Sequence, residues 1–276
     1  MIKIIKLDSL KTIDQLKSDY VKQATAPLDG MWLTGFVPMA KHFEIYDEDK
    51  LLGYFCINDE GYLLQYNLDQ RYRSRSTEVF KFLLTLKDSD FGDIKGAFCS
   101  TAEPRFISIC LDHFSTYKVN ALMYQISEEI NFDNNAIELT KLSKDCLEDV
   151  VKFAHEEIDA PVEWLTGYFS NLISRNELYA FIDKNTIIAT GECRGFDTYQ
   201  TDYADIGVVV SSNQRSKGLA TKVLKKLRAI AEEQHLIPIC STEVQNIGAQ
   251  KAISRAGFFA SNRIIQFLHN QKKEQY

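Results

Sequence analysis

Apolar residues recur along the second half of the chain with two different periods, and each period marks out elements. LEDVVKFAHEE (147–157) and VEWLTGYFSNLISR (162–175) carry helical spacing, with Pro161 at the start of the second, where its missing N–H costs little. LYAFID (178–183) and TIIATGEC (186–193) read as a hairpin turning at Lys184–Asn185, and YADIGVVV (203–210) is a strand whose end is too apolar for a solvated face. Polar SSNQRSKG (211–218) follows. From Leu219 to His235 the residues Ala220, Val223, Leu224, Leu227, Ile230 and Ala231 form one stripe of an amphipathic helix. LIPICSTEV (236–244) reads as a strand, IGAQKAISRAG (247–257) as a short helix closed by Gly257, and RIIQFLH (263–269) as a last strand. With a strand in IELTKL (137–142), the order is β, α, α, β, β, β, α, β, α, β, and it contains a βαβ unit whose crossover is the polar loop and the long helix.

The first half repeats parts of this pattern. Gln70, Arg71, Arg73, Thr77, Val79, Lys81 and Leu83 recur 144 positions later as Gln214, Arg215, Lys217, Thr221, Val223, Lys225 and Leu227, and Phe114 falls on Phe258 at the same offset. DEDKLLGYFC (47–56) pairs with DKNTIIATGEC (183–193) at an offset of 136. A shift shared by separated segments predicts one fold used twice, and 276 residues suit two modest domains. The expected domains are 1–130 and 131–276, joined through polar SEEINFDNN (127–135). MWLTGFVPM (31–39) reads as an aromatic, apolar loop.

Charge narrows the function classes. The chain has 32 Lys and Arg against 38 Asp and Glu, a net −6, which argues against a nucleic-acid or anionic-membrane binder. No run approaches the ~20 apolar residues of a membrane span, and Lys3, Lys6 and Asp8 break the apolar start, so a cytoplasmic protein is expected. The six cysteines are scattered without a CxxC pair or a His/Cys cluster, so no metal site is expected and the thiols read as mostly buried.

The chemistry concentrates at residues 215–221. RSKGLA (215–220) lies between a buried strand and a helix start, where free N–H groups and the positive end of the helix dipole converge on an anion. Gly218 lets the backbone approach that anion without a Cβ in the way. Between Asn213 and His235 stand six basic residues against two acids, which suits a polyphosphate. The GxxxxGK and GxGxxG patterns are both absent from this loop, which disfavours P-loop NTPases and Rossmann dehydrogenases.

The strand GVVV, the RxxGxA core (Arg215, Gly218, Ala220), the amphipathic helix, the next strand, Asn246, Ala249 and the pair Gly257–Phe258 together resemble the GNAT superfamily of acyl-CoA-dependent N-acyltransferases, over about residues 136–269. The resemblance implies an α+β fold: two GNAT-like domains in tandem, each a mixed central sheet flanked by helices. It implies acetyl-CoA as cofactor, its diphosphate on the loop from Arg215 through Ser216, Lys217, Gly218, Leu219 and Ala220 to Thr221. The pantetheine would lie along Val208, Val209 and Val210 as an added strand, with Asn246 on the far side. It also implies direct attack by a primary amine in a ternary complex, with a strand N–H facing the oxyanion.

Removing the ammonium proton calls for a carboxylate or a relayed water. Asp205, Glu192 and Glu243 are the candidates, and strand alternation alone leaves the choice open. At the position where the family commonly places a Tyr to protonate the thiolate, this chain has Ile253, which leaves Tyr203, Tyr199 or water. Cys193 and Cys240 have no nearby His to activate them. Clustered acids in 196–205 and 155–164 suit either a cationic small-molecule acceptor or a solvated surface. In the first copy, Ser74 and Ser76 replace Gly218 and Ala220, so that copy is expected to be degenerate. The expected protein is an N-acetyltransferase acting as a pseudo-symmetric monomer, a homodimer being possible. The alternative is a CoA-binding sensor or scaffold with weak or no turnover.

Overall fold

In the computed structural model, residues 1–87, 90–127 and 137–269 are described. Nearly all of the expected linker (127–135) therefore lies outside the described residues. Contacts divide the chain into two compact units. One comprises Met1–Leu122 together with the chain from Asn262 onward, the other Met123–Ser261. The sequence places a single boundary at 130/131; the compact units instead assign the last strand from Asn262 onward to the first of them.

The first unit starts with β1 (Ile2–Lys6) and α1 (Asp14–Lys22), then α2 (Val37–Met39), β2 (Lys41–Asp47), β3 (Lys50–Ile57) and β4 (Tyr62–Leu68). It continues through α3 (Ser76–Thr85), β5 (Gly96–Ser100), α4 (Pro104–His113) and β6 (Thr116–Ile126), whose end belongs to the second unit. β1 to β4 are antiparallel neighbours, β4 and β5 pair in parallel, and β12 (Phe258–Leu268) joins β5 antiparallel from Ile264↔Ser100 to Leu268↔Gly96. Ile265 and Phe267 of that strand are part of the first unit's core, with Phe43, Phe55, Phe80 and Phe106. The MWLTGFVPM segment is helical and not a loop. Trp32–Phe36 forms a wide helical turn running into α2, started by Asp29 Oδ1, which accepts from the Trp32 N–H at 2.7 Å.

The second unit contains β7 (Thr140–Lys141), α5 (Leu147–Ile158), α6 (Val162–Ser174), β8 (Leu178–Asp183), β9 (Thr186–Gly195), β10 (Tyr203–Val210), α7 (Leu219–Glu233), β11 (Ile237–Glu243) and α8 (Ile247–Arg255), besides the start of β12. The expected strand at 137–142 shrinks to Thr140–Lys141, and the last strand begins at Phe258, ahead of the expected Arg263. Its sheet is mixed: β7 to β10 are antiparallel neighbours, and β10 and β11 run parallel. The hairpin turn holds Lys184 and Asn185 at φ 47 and 62, and Gly257 closes α8 at φ 89. Helices cover both faces. Val150, Val151, Leu165 and Phe169 of α5 and α6 pack with Leu178 and Ala180 of β8, while a Cβ at Gly191 would lie 3.1 Å from Leu227, so α7 covers the opposite face of β9. Val223, Leu224, Leu227 and Ala231 are the buried part of the α7 stripe.

Candidate active site

The site begins where two strands part. β10 and β11 pair through Tyr203↔Ile237, Ala204↔Pro238 and Asp205↔Ile239 and no further, although β10 runs on to Val210 and β11 to Glu243. Pro238 has no N–H to give to this short ladder. On its other edge β10 stays paired with β9 as far as Val210↔Ala189. Beyond Asp205 the edge of β10 toward β11 is thus open, and Gly207, Val208 and Val209 are half-buried in mid-sheet while Val210 is buried.

β10 leads into a helical turn at Ser212–Gln214, and then Ser216 (φ 63) and Gly218 (φ 80) both take the left-handed conformation before α7 starts. The first helical bond is Lys222 N–H to Gly218 O at 3.2 Å; the amides of Ser216, Lys217, Gly218, Leu219, Ala220 and Thr221 meet no acceptor among the described residues. A Cβ at Gly218 would meet nothing within 4 Å, so the glycine answers to its positive φ and to open space in front of the amides. Such a row of amides at a helix start is a cradle for a diphosphate.

Several side chains in the loop point elsewhere. Arg215 reaches back to Glu157 at 2.8 Å, Lys217 Nζ donates to Asn213 O at 2.9 Å, and Thr221 Oγ1 donates to Ala252 O at 3.3 Å. Leu219 and Ala220 are half-buried. A cavity of about 250 Å³ adjoins the loop between Gln214, Lys217, Leu219 and Lys222 and the hairpin residues Phe181 and Ile188. Asn246 caps α8, its Oδ1 accepting from the Ala249 N–H at 3.0 Å.

Beside the open strand lies a polar network on the face covered by α6. Arg194 faces Asp205 across the ladder and Glu192 faces Gly207, where a Cβ would sit 3.4 Å from the Glu192 carboxylate. Arg194 Nη2 donates to Asp205 Oδ2, Arg194 Nη1 donates to the Tyr168 hydroxyl at 2.8 Å, and that hydroxyl donates to Glu192 Oε2 at 2.6 Å. Burial first, and the Glu192 charge next, push the Tyr168 phenol above its ordinary pKa, so it stays a donor at neutral pH. Trp164 stacks on Tyr168 at 4.8 Å and is exposed.

The structure therefore brings Glu192 and Asp205 together, Asp205 as half of a buried ion pair. It does not bring the other two candidates to them. Glu243 is exposed at the end of β11, Tyr203 is half-buried at the start of β10, and neither side chain makes a hydrogen bond among the described residues. Ile253 is buried. Cys193 is buried and its thiol is pushed up to about 12 by that burial, so it is no nucleophile at neutral pH. Sequence reasoning missed Tyr168 and Arg194. The i, i+4 pair Trp164–Tyr168 was the available signal for the first, whereas Arg194 needed the β9–β10 register.

Family profiles described as an acetyltransferase (GNAT) domain and an acetyltransferase (GNAT) family match residues 9–127 and 138–258. A solved acetyltransferase of the GNAT family from Colwellia psychrerythraea is 45% identical over 97% of this chain and 99% of its own, with a TM-score of 0.93. A GCN5-related N-acetyltransferase from Sphaerobacter thermophilus shares the fold at 11% identity over 96% of this chain and 95% of its own, with a TM-score of 0.60. A tandem GNAT protein from the clavulanic acid biosynthesis pathway does so at 11% identity over 97% and 98% of the two chains, with a TM-score of 0.57. Comparison with curated proteins gives no match. With both halves matched and a relative 45% identical along nearly the whole length, the chain belongs to the GNAT family of acetyltransferases, with two copies of the domain in tandem.

Proposed function

We propose that the second unit binds acetyl-CoA, with the diphosphate on the amides of residues 216–221 and the pantetheine along the open edge of β10, and that the acetyl group passes directly to a primary amine. One observation carries this reading: a ladder that stops at Asp205 and a row of amides without acceptors occur at the same strand end. The open space before Gly218 fits such a group. When bound, acetyl-CoA supplies an activated acyl carbon.

Glu192 takes the ammonium proton. It stands opposite Gly207, two residues past the last parallel pair, and Tyr168 holds one of its oxygens and leaves the other to the amine or a relayed water. Asp205 is neutralised by Arg194 and serves to fix that arginine. Unpaired N–H groups of β10 beyond Asp205 are the donors available to a developing oxyanion. Exposed Glu156, Asp159, Glu163 and Asp202 support a cationic acceptor, although Glu157 and Asp197 are already paired with Arg215 and Arg175. The first unit is a degenerate copy without a CoA site.

Calorimetry tests the cofactor assignment: the wild-type chain binds acetyl-CoA and Gly218→Trp does not, unchanged affinity overturning it. Thiol release with a panel of amines tests transfer, where Glu192→Gln should lower kcat by ~10²-fold or more at an unchanged KM for acetyl-CoA. The buried Ile253 favours a second reading, a CoA-binding protein with little turnover, which binding without thiol release would support.

A further inference from the structure

Glu157 lies in the last turn of α5, where the helix dipole disfavours a carboxylate, and its side chain is only 10% exposed. That carboxylate accepts from the Ser212 N–H at 2.7 Å, from Ser212 Oγ at 3.4 Å and from Arg215 Nη2 at 2.8 Å. The same Nη2 donates to the Glu157 carbonyl at 3.0 Å, and Arg215 Nε donates to Val210 O at 3.1 Å. Arg215 thus ties the end of α5 to the end of β10. It satisfies a helix-terminal carbonyl that would otherwise lack a partner, and it neutralises the misplaced acid.

We infer that Glu157 is a positioning residue for the acetyl-CoA loop, and that the arginine of the RxxGxA motif serves Glu157 and not the diphosphate. The inference rests on the proposed acetyl-CoA site. Glu157 pins Ser212 and Arg215, the residues immediately before Ser216, a non-glycine residue at φ 63. That conformation is strained and persists only where its surroundings impose it. With Glu157 gone, Ser216 relaxes and the amides turn away. With Arg215 gone, Glu157 remains as an uncompensated negative charge beside the site meant for another anion.

The second consequence separates this role from direct phosphate binding. Arg215→Ala should weaken acetyl-CoA by about 30-fold, and Glu157→Gln added to it should restore several-fold of that loss, because the repelling charge has been removed. Glu157→Gln alone should raise KM for acetyl-CoA by a few-fold with kcat at saturation nearly unchanged. If Arg215 were instead a phosphate ligand, the double variant would bind as poorly as Arg215→Ala, and Glu157→Gln alone would bind more tightly; either result overturns the assignment.

Amide hydrogen exchange of the ligand-free chain reads the same assignment without acetyl-CoA. Glu157→Ala should speed exchange across residues 212–218 by about 10-fold, with the melting temperature reported alongside. Unchanged exchange there overturns the inference. A wild-type chain that binds no acetyl-CoA overturns the proposed function instead, and exchange alone then decides this role.

Discussion

The strand, loop and helix that run from Tyr203 to Glu233 in the second unit have a counterpart from Tyr62 to Thr85 in the first, and the two treat their backbone amides in opposite ways. In both, the parallel ladder is short: Tyr62↔Gly96 and Leu63↔Ala97 are the pairs of β4 with β5, although β4 runs on to Leu68. The first loop then closes on itself. Asp69 Oδ1 accepts from Arg71 N–H at 2.9 Å, Asp69 O from Tyr72 N–H at 2.9 Å and Arg73 O from Ser76 N–H, and no residue from 69 to 76 has a positive φ. Its arginines 71, 73 and 75 make it as basic as the second loop, yet Arg71 and Arg75 are spent on Asp69, Glu78 and Asp47. A row of free amides of this kind is set by backbone conformation at two positions, and side-chain charge alone does not make one.

The largest effect expected from that contrast is on stoichiometry. The wild-type chain should bind one acetyl-CoA, and Gly218→Trp should abolish that binding, a loss of about 10⁴-fold or more, some 5.5 kcal/mol. Calorimetry checks both. A Gly218→Trp chain that still binds one equivalent tightly would place a working site in the first unit and remove the distinction between the copies.

Next in size is the last strand, which starts in the second unit and ends in the first. Phe267 is wholly buried in the first unit's core, so Phe267→Ala should cost about 3–5 kcal/mol and lower the melting temperature. This is also where the sequence was least informative. Alternation in RIIQFLH marked a strand, and its apolar face marked burial, but neither says which strand it pairs with. The ladder from Ile264↔Ser100 to Leu268↔Gly96 joins residues far apart in the chain, and the offset of 144 argued for two self-contained copies. The loop, by contrast, was legible because its signal is local: a glycine needing a positive φ, a helix start and a preceding apolar strand fall within a few residues. Tyr168, Arg194 and Glu157 act through contacts between elements, and their roles emerged only with the register and the packing of α5 and α6.

A third difference lies inside the units. Lys17, Asp29, His42, Glu44, Gln65, Asn67, Ser100 and Glu103 are buried in the first, against Thr190 and Asp205 in the second. Two of these titrate in opposite directions over nearly one pH window. Burial raises Glu103 from 4.5 to about 7, so its contribution to stability is full below pH 4.5 and is lost as pH rises through 7. Burial lowers His42 from 6.5 to about 4, with the Lys17 charge adding to the effect, so its contribution is full above pH 6.5 and is lost as pH falls through 4. Each is worth on the order of 3 kcal/mol, and in the wild type they offset one another. Denaturant unfolding from pH 4 to 8 should show Glu103→Gln gaining stability with pH and His42→Asn losing it; parallel curves for the two variants would refute the opposition.

The smallest predicted effect concerns a position the two copies share. Glu103 stands 143 residues before Asn246, and both occupy the N-cap of the helix after the splayed strand. In the first unit the carboxylate turns inward and accepts from Ser100 N–H and the Tyr20 hydroxyl, filling the region beyond the ladder with the chain's own groups. In the second unit Asn246 is exposed and turns onto its own helix, where its Oδ1 accepts from the Ala249 N–H. Asn246→Ala should therefore cost about 1 kcal/mol of stability as a lost cap, and Asn246→Asp, which keeps an acceptor for the Ala249 N–H, should recover most of it. If Asn246 also lines the bound cofactor, as the family resemblance implies, Asn246→Ala will in addition weaken acetyl-CoA several-fold. An affinity unchanged within a factor of two would leave it a cap alone, and would narrow the difference between the copies to a side chain that fills the cleft in one and stays out of it in the other.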